Sequence, residues 1–352
     1  MGDPLRSSRR SRILGLRSSP LEGQLQPPQW QIVGHPPAVP QMLDKDRYGS
    51  RTPQAHLALT SDERRAWPTQ TGAPSVDFTY GSERRVALVG DWESQGPPVF
   101  IEIAQIRNQY PDVSTLLHVG DLRWQAPIRL NGRLTYRHDG FLPKLESELS
   151  RLRMRIILTP GNHEDWTILA PAFAAYPERP RRLSPSIWVL PRGFRFQISG
   201  RSFLSFGGAV SVDADRGSLE APTDADVSHA VEHGKVDVLL THEPPNAGIG
   251  EVNEVIAHSR RWASSRLLLS ASSRRRIDTL VAAVTPQLTA HGHMHVAGRS
   301  RSAAGAETIS LAAITKPGNV AILELATLEV TTMRQTRLDP PPNAEPVRGG
   351  TP

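Results

Sequence analysis

Five short apolar runs in this chain each stop on residues that carry lone pairs. Residues 85–90 (RVALVG) run into Asp91, and residues 115–120 (TLLHVG) into Asp121. Residues 155–158 (RIIL) lead to Gly161-Asn162-His163-Glu164, residues 236–240 (VDVLL) to Thr241-His242-Glu243, and residues 287–290 (QLTA) to His291-Gly292-His293-Met294-His295. Runs this short, set off by Gly and Pro, read as buried strands. Helix-like spacing over residues 98–110 and 141–152 separates the first three. The resulting β-α-β-α-β rhythm implies a parallel sheet with helices packed on it. In open α/β sheets, ligands gather at the carboxyl ends of the strands. The spacing therefore predicts one cleft fed by five strand ends.

The later part is more strand-rich, with runs at 187–190, 194–198 and 203–206, and a final stretch at 308–312, 320–325 and 328–332 that reads as a meander. Residues 274–276, three arginines, read as a charged helix start. Residues 1–82 and 333–352 are rich in Pro, Ser, Gln and Arg without sustained periodicity, which predicts disordered tails around one domain over residues 83–332. Residues 6–19, rich in Arg and Ser, resemble a transit peptide in composition and equally a solvated tail.

Composition narrows the chemistry. There is no cysteine, so disulfides, thiolate metal sites and a cysteine nucleophile are excluded. The net charge of +6 falls largely on the tails, and the near-neutral core gives no electrostatic argument for nucleic acid. No apolar run reaches the roughly 18 residues of a membrane span. A cytoplasmic location is the expectation.

Asp91 and Asp121 alone are compatible with turn or helix-cap roles, and a lone histidine is usually a satisfied core residue, as His118 in its strand is expected to be. Five such features at successive strand ends point elsewhere. Two buried carboxylates resist joint ionisation, and divalent cations resolve that conflict. A bridging carboxylate holds two metals roughly 3.5–4 Å apart in two-metal hydrolases. His293 and His295 alternate on an extended segment and so face one side. With His, carboxylate and amide donors, the metals suited are Mn, Fe, Zn, Co or Ni. The glycines before Asp91, Asp121, Asn162 and His293 fit sharp turns that bring the backbone close to the ions.

The blocks GDWE, GDLRW, GNHE, THE and GHMH, in this order over about residues 84–330, resemble the calcineurin-like metallophosphoesterase family, in particular bacterial members of an actinobacterial type. Residues 190–193 (LPRG) and 207–213 (GGAVSVD) add to that resemblance. It implies a four-layer αββα sandwich of two mixed β-sheets flanked by helices. It also implies a metal-dependent phosphoesterase that acts on a phosphate mono- or diester by attack of a metal-bridging hydroxide. Asp91 and His295 would hold the first metal, Asn162, His242 and His293 the second, and Asp121 both. His163 would be the general acid. The partner would be a small phosphate ester or a phosphoprotein.

Two positions depart from the family pattern. Glu93 stands where the family usually has His, so it is either a substitute ligand or a gap in the first metal's shell. Trp124 stands where the second block usually closes on Asp, or on Tyr in purple acid phosphatases, and offers no ligand atom. Arg123 and Arg192 are candidates for a substrate phosphate, or simply solvated. The rival to an enzyme is a non-catalytic or one-metal scaffold on the same fold.

Overall fold

The structure, a computed structural model, describes residues 76–131, 133–213 and 219–333. Most of both expected tails lies outside those residues. The tail boundaries expected at 82 and 333 are corrected by pairing. Val76–Asp77 adds in parallel to the edge of Phe194–Ile198. Phe78 is buried edge-on against Phe196, with ring centroids 5.5 Å apart. At the other end, Met333 is buried and donates its N–H to Val320 O at 3.0 Å.

Two seven-stranded mixed sheets form the fold. The first runs Val76–Asp77, Phe194–Ile198, Arg201–Phe206, Val238–Thr241, Leu288–His291, Glu307–Ser310, Gly298–Arg301. The second runs Val330–Thr332, Val320–Glu324, Arg85–Val89, Thr115–His118, Arg155–Leu158, Ile187–Val189, Arg181–Ser184. Side-chain alternation sets the layers, because successive strand residues face opposite sides. Val86 and Leu88 point into a core shared with Phe196, Phe203, Val238 and Leu240 of the other sheet. Ala87 and Val89 point out, onto the helices Gly96–Gln109 and Phe141–Leu152. On the far side, Leu204, Phe206 and Leu239 pack on Asp224–Val231 and Ser264–Val284. Helix, sheet, sheet and helix are thus stacked in four layers.

The expected meander divides between the two sheets. Glu307–Ser310 pairs in parallel with Leu288–His291, whereas Val320–Glu324 crosses over to pair antiparallel with Arg85–Val89. Residues 274–276 lie inside the 21-residue helix Ser264–Val284 instead of starting one. The central strands Arg85–Val89, Thr115–His118 and Arg155–Leu158 run parallel in one sheet. Arg201–Phe206, Val238–Thr241 and Leu288–His291 do so in the other. The five strands singled out in the sequence are among these six, and their carboxyl ends meet at one edge of the sandwich.

Candidate metal centre

Asp121 sits at the middle of that edge. Its Oδ1 accepts the His163 N–H at 2.9 Å. Its Oδ2 lies 3.2 Å from His242 Nε2 and 3.6 Å from His163 Nδ1. On one flank, Asp91 lies 3.3 Å from His295 Nε2 and accepts the His293 N–H at 3.0 Å. On the other, the His242 and His293 rings stand 4.9 Å apart. Donor atoms of Asp121, His242 and His293 lie within 4.8 Å of one another, as do those of Asp91, Asp121 and His295, and of Glu93, Asp121 and His163. Asp121 belongs to all three groups.

The hydrogen bonds around this cluster orient lone pairs inward. His242 Nδ1 lies 2.7 Å from Val119 O, which only accepts, so Nδ1–H donates there. Nε2 then turns to Asn162 Oδ1 at 3.1 Å and Asp121 Oδ2 at 3.2 Å. Asn162 spends its Nδ2–H on Ser211 Oγ at 2.9 Å, so its oxygen is the atom presented. An imidazole lone pair, an amide oxygen and a carboxylate oxygen converge with no donor among them. Only a proton or a cation reconciles three buried acceptors. With a proton alone, burial works against His242, yet the adjacent Asp121 charge raises its pKa to about 10. Burial likewise opposes ionised Asp121, but His242, His163 and His293 outweigh it and hold its carboxyl well below the usual range. Asp91 is pushed up by burial, partly offset by His295. Oxygen and imidazole donors at this spacing fit divalent cations of the borderline kind.

The backbone bends sharply here. Asp91, Glu93, Asp121, Arg123, His293 and His295 all have φ between 50° and 74°. Left-handed backbone at a residue with a Cβ costs on the order of 1–3 kcal/mol and clusters at functional sites. Two glycines explain what the turns require. Gly120 has φ 105°, and a Cβ there would stand 2.3 Å from His242 Nδ1. At Gly292 a Cβ would stand 2.3 Å from Asp91 Oδ2. The glycines make room for carboxylate and imidazole more than they supply unusual torsions.

The two departures from the family pattern are resolved in space. Glu93 Oε1 lies 2.6 Å from His163 Nδ1, and its Oε2 3.3 Å from Arg123. Glu93 thus faces His163, and its donor atom clusters with those of Asp121 and His163. Trp124 is buried, its side chain lining a cleft. Arg192 is corrected as a substrate contact. Its guanidinium donates to Gly207 O at 2.8 Å, Asp226 Oδ2 at 2.9 Å and Glu220 O at 3.0 Å, and lies over the Trp166 ring. A side chain so fully engaged ties loops together and is not free to meet a phosphate.

Three supporting residues escaped the sequence reading. Glu164 is buried and accepts backbone N–H groups from Gly161, Arg123, Asp121 and Trp124. Glu243 accepts the Val210 N–H at 2.9 Å and lies 3.9 Å from His293 Nε2. Glu102 accepts Trp92 Nε1–H at 2.8 Å and Asn319 Nδ2–H, behind the Asp91 loop. Glu164 and Glu243 stand in the GNHE and THE blocks without a role assigned to them there, and Glu102 sits in an ordinary helical pattern.

Glu102 gives a pH prediction. Burial pushes its carboxyl up to about 8, against downward pulls from Trp92 and Asn319. The folded pKa thus exceeds an unfolded value near 4.3, so the native state holds the extra proton between those limits. Stability falls as pH rises through that window and levels off above it. Glu102→Gln, which keeps an acceptor for Trp92, removes this slope. Urea denaturation is expected to show the variant gaining roughly 2–4 kcal/mol on the wild type between pH 5 and pH 8. Parallel pH profiles would contradict the buried proton.

Comparison with known proteins follows the same line. A family model described as calcineurin-like phosphoesterase matches residues 84–297. No curated protein matches the chain. Among solved structures, a dimetal phosphatase from Danio rerio is 13% identical, with 69% of this chain and 93% of that one covered and a TM-score of 0.40. The protein TT1561 of Thermus thermophilus is 11% identical over 72% and 99%, with a TM-score of 0.42. A 5'-nucleotidase from Candida albicans is 14% identical over 71% and 49%, with a TM-score of 0.34.

Proposed function

The chain belongs to the calcineurin-like phosphoesterases, a family of metal-dependent phosphate-ester hydrolases, and from that premise we propose how its own residues divide the work. Asp91 and His295 would hold one divalent cation, Asn162, His242 and His293 a second, and Asp121 would contribute to both. The convergence of three buried acceptors at His242, Asn162 and Asp121 carries this reading. Two cations of the Mn, Fe, Zn, Co or Ni class, when bound, neutralise the carboxylates, polarise the phosphoryl oxygens and acidify a water.

The protein's share is positioning and proton transfer. His242 is locked by Val119 O, and Asn162 by Ser211, so both present fixed donor atoms. His163 is anchored through its own N–H on Asp121, with its ring at the edge of the cluster. It gives a proton to the leaving oxygen as the ester P–O bond breaks. Glu93, beside His163 Nδ1, orients that ring and stabilises its protonated form. Asp91, Asp121 and His295 would then be the three side chains that hold the first cation. Substrates are phosphate mono- or diesters. Among the described residues no helix is long and apolar enough to cross a membrane.

His163→Ala tests the acid. For a poor leaving group such as phenolate, kcat is expected to fall about 10²–10³-fold. For dinitrophenolate, which leaves without a proton, the loss should stay below about tenfold, with metal content unchanged. Equal losses on both esters would remove His163 from this role.

A further inference from the structure

The segment between Asp121 and the helix Phe141–Leu152 builds a cleft that the hydrolytic centre leaves unused. It includes a two-stranded hairpin, Ile128–Leu130 with Arg133–Thr135. The cleft is shallow and open to solvent, and its enclosed room, about 10 Å³, admits one water-sized group such as a single anionic oxygen. Its walls include Ser94, Arg123, Trp124, Tyr136, Arg137 and His138. The floor is apolar, with Trp124 and Phe141 set in the main core. Trp124 is only 5% exposed, and its Nε1–H finds no acceptor among the described residues. A buried donor left unpaired is a cost that a ligand atom can relieve.

The rim is cationic and under-neutralised. Among the described residues no carboxylate pairs with Arg137, and Arg123 meets only Glu93, at 3.3 Å. His138 lies close enough to both arginines that, after burial, their charges push its pKa down, against weaker upward pulls from Glu93 and Asp139. The helix Phe141–Leu152 starts at this rim with no side-chain cap and no acid in its first turn, so its positive end is also unanswered. Glu93 and Asp139 offset this rim only in part, and like charges kept together in excess favour an anion between them.

The position of the cleft says which anion. Ser94 follows Glu93 in the chain, and Gln125, another wall residue, donates its Nε2–H to His163 O at 3.3 Å. The wall residue Arg123 also reaches Glu93 at 3.3 Å, and Glu93 lies 2.6 Å from His163 Nδ1, so the cleft is one side chain removed from the group proposed to protonate the leaving oxygen. We propose that it is a leaving-group subsite selecting phosphate esters whose leaving group carries its own negative charge, a carboxylate or a second phosphate, gripped by Arg137, Arg123 and His138. This rests on the hydrolytic reading and adds the substrate class to it.

The test compares phenyl phosphate with 4-carboxyphenyl phosphate on the metal-loaded full chain, wild type and Arg137→Gln. The wild type is expected to favour the carboxylated ester about tenfold in kcat/KM, and the variant to lose most of that ratio. The same ester pair extended to 4-phosphonophenyl phosphate separates a carboxylate from a phosphate-like partner by the larger ratio. In parallel, calorimetry on the metal-stripped full chain measures 4-hydroxybenzoate against phenol, with no turnover needed. Binding of 4-hydroxybenzoate is expected, at least about fivefold weaker in Arg137→Gln. Turnover with no Arg137-dependent preference overturns the subsite and leaves the hydrolytic reading standing. Arg137-dependent binding without cleavage of any ester strikes the hydrolytic reading and keeps the anion site.

Discussion

Asp121→Asn is expected to strip both cations and lower turnover of nitrophenyl phosphate at least about a thousandfold, equivalent to roughly 4 kcal/mol of transition-state stabilisation. Among the described residues, Asp121 is the one common to the three groups of donor atoms. Asparagine keeps the shape and one oxygen, so the bond from His163 N–H survives and the loop stays in place. What it loses is the negative charge and the second anionic oxygen, the two features that let one side chain serve two cations. Metal content by elemental analysis, with circular dichroism to confirm the fold, decides the matter. A variant that retains one full equivalent of metal would show that Asp121 serves a single cation.

Glu164→Ala carries the largest expected stability cost, about 4 kcal/mol or more. The carboxylate is buried and accepts four backbone N–H groups, those of Arg123 at 2.7 Å, Asp121 at 3.2 Å, Trp124 at 3.4 Å and Gly161. These belong to two different loops, so Glu164 is the peg on which the Asp121 and Asn162 turns are hung together. Alanine leaves four buried donors without an acceptor, each worth about 1–3 kcal/mol where water does not enter. Glu164→Gln retains one acceptor and should lose about half as much. Urea denaturation with unchanged m-value measures both. A loss below about 1 kcal/mol would mean that the loops hold themselves.

Much of the centre was legible because strand ends are a sequence feature. Short apolar runs closed by Gly-Asp, Gly-Asn-His or Gly-His-x-His leave little doubt about where those side chains emerge. The helix Phe141–Leu152 was readable from its leucines, three of which are indeed buried along with Phe141. The first half of the helix Ser264–Val284 was hidden, its start read ten residues late at 274–276, because its inward face carries Ser270, Ser273 and Arg274 beside Ile277, Leu280 and Val284. An apolar periodicity search misses a face that is half polar. Trp166–Ala175 was hidden differently. It is apolar nearly all round and holds Pro171, so neither period nor composition marks it as a helix. Pairing between sheets was equally out of reach, since nothing local tells Val320–Glu324 to leave Glu307–Ser310 and join Arg85–Val89. The surroundings of Glu93 are of this kind too: two places after Asp91 it reads as either a substitute ligand or a gap, and nothing local foretells that His163 Nδ1 lies 2.6 Å from it.

The most direct measurement is a paired count of metal and product. The full chain is stripped of metal, reloaded with Mn, Fe, Zn, Co or Ni, and assayed for nitrophenol release from a phosphomonoester and a phosphodiester while bound metal is counted. Two cations per chain with metal-dependent release is the predicted result. One cation or none, with no release under any of these ions, would contradict it and leave a fold that binds without hydrolysing.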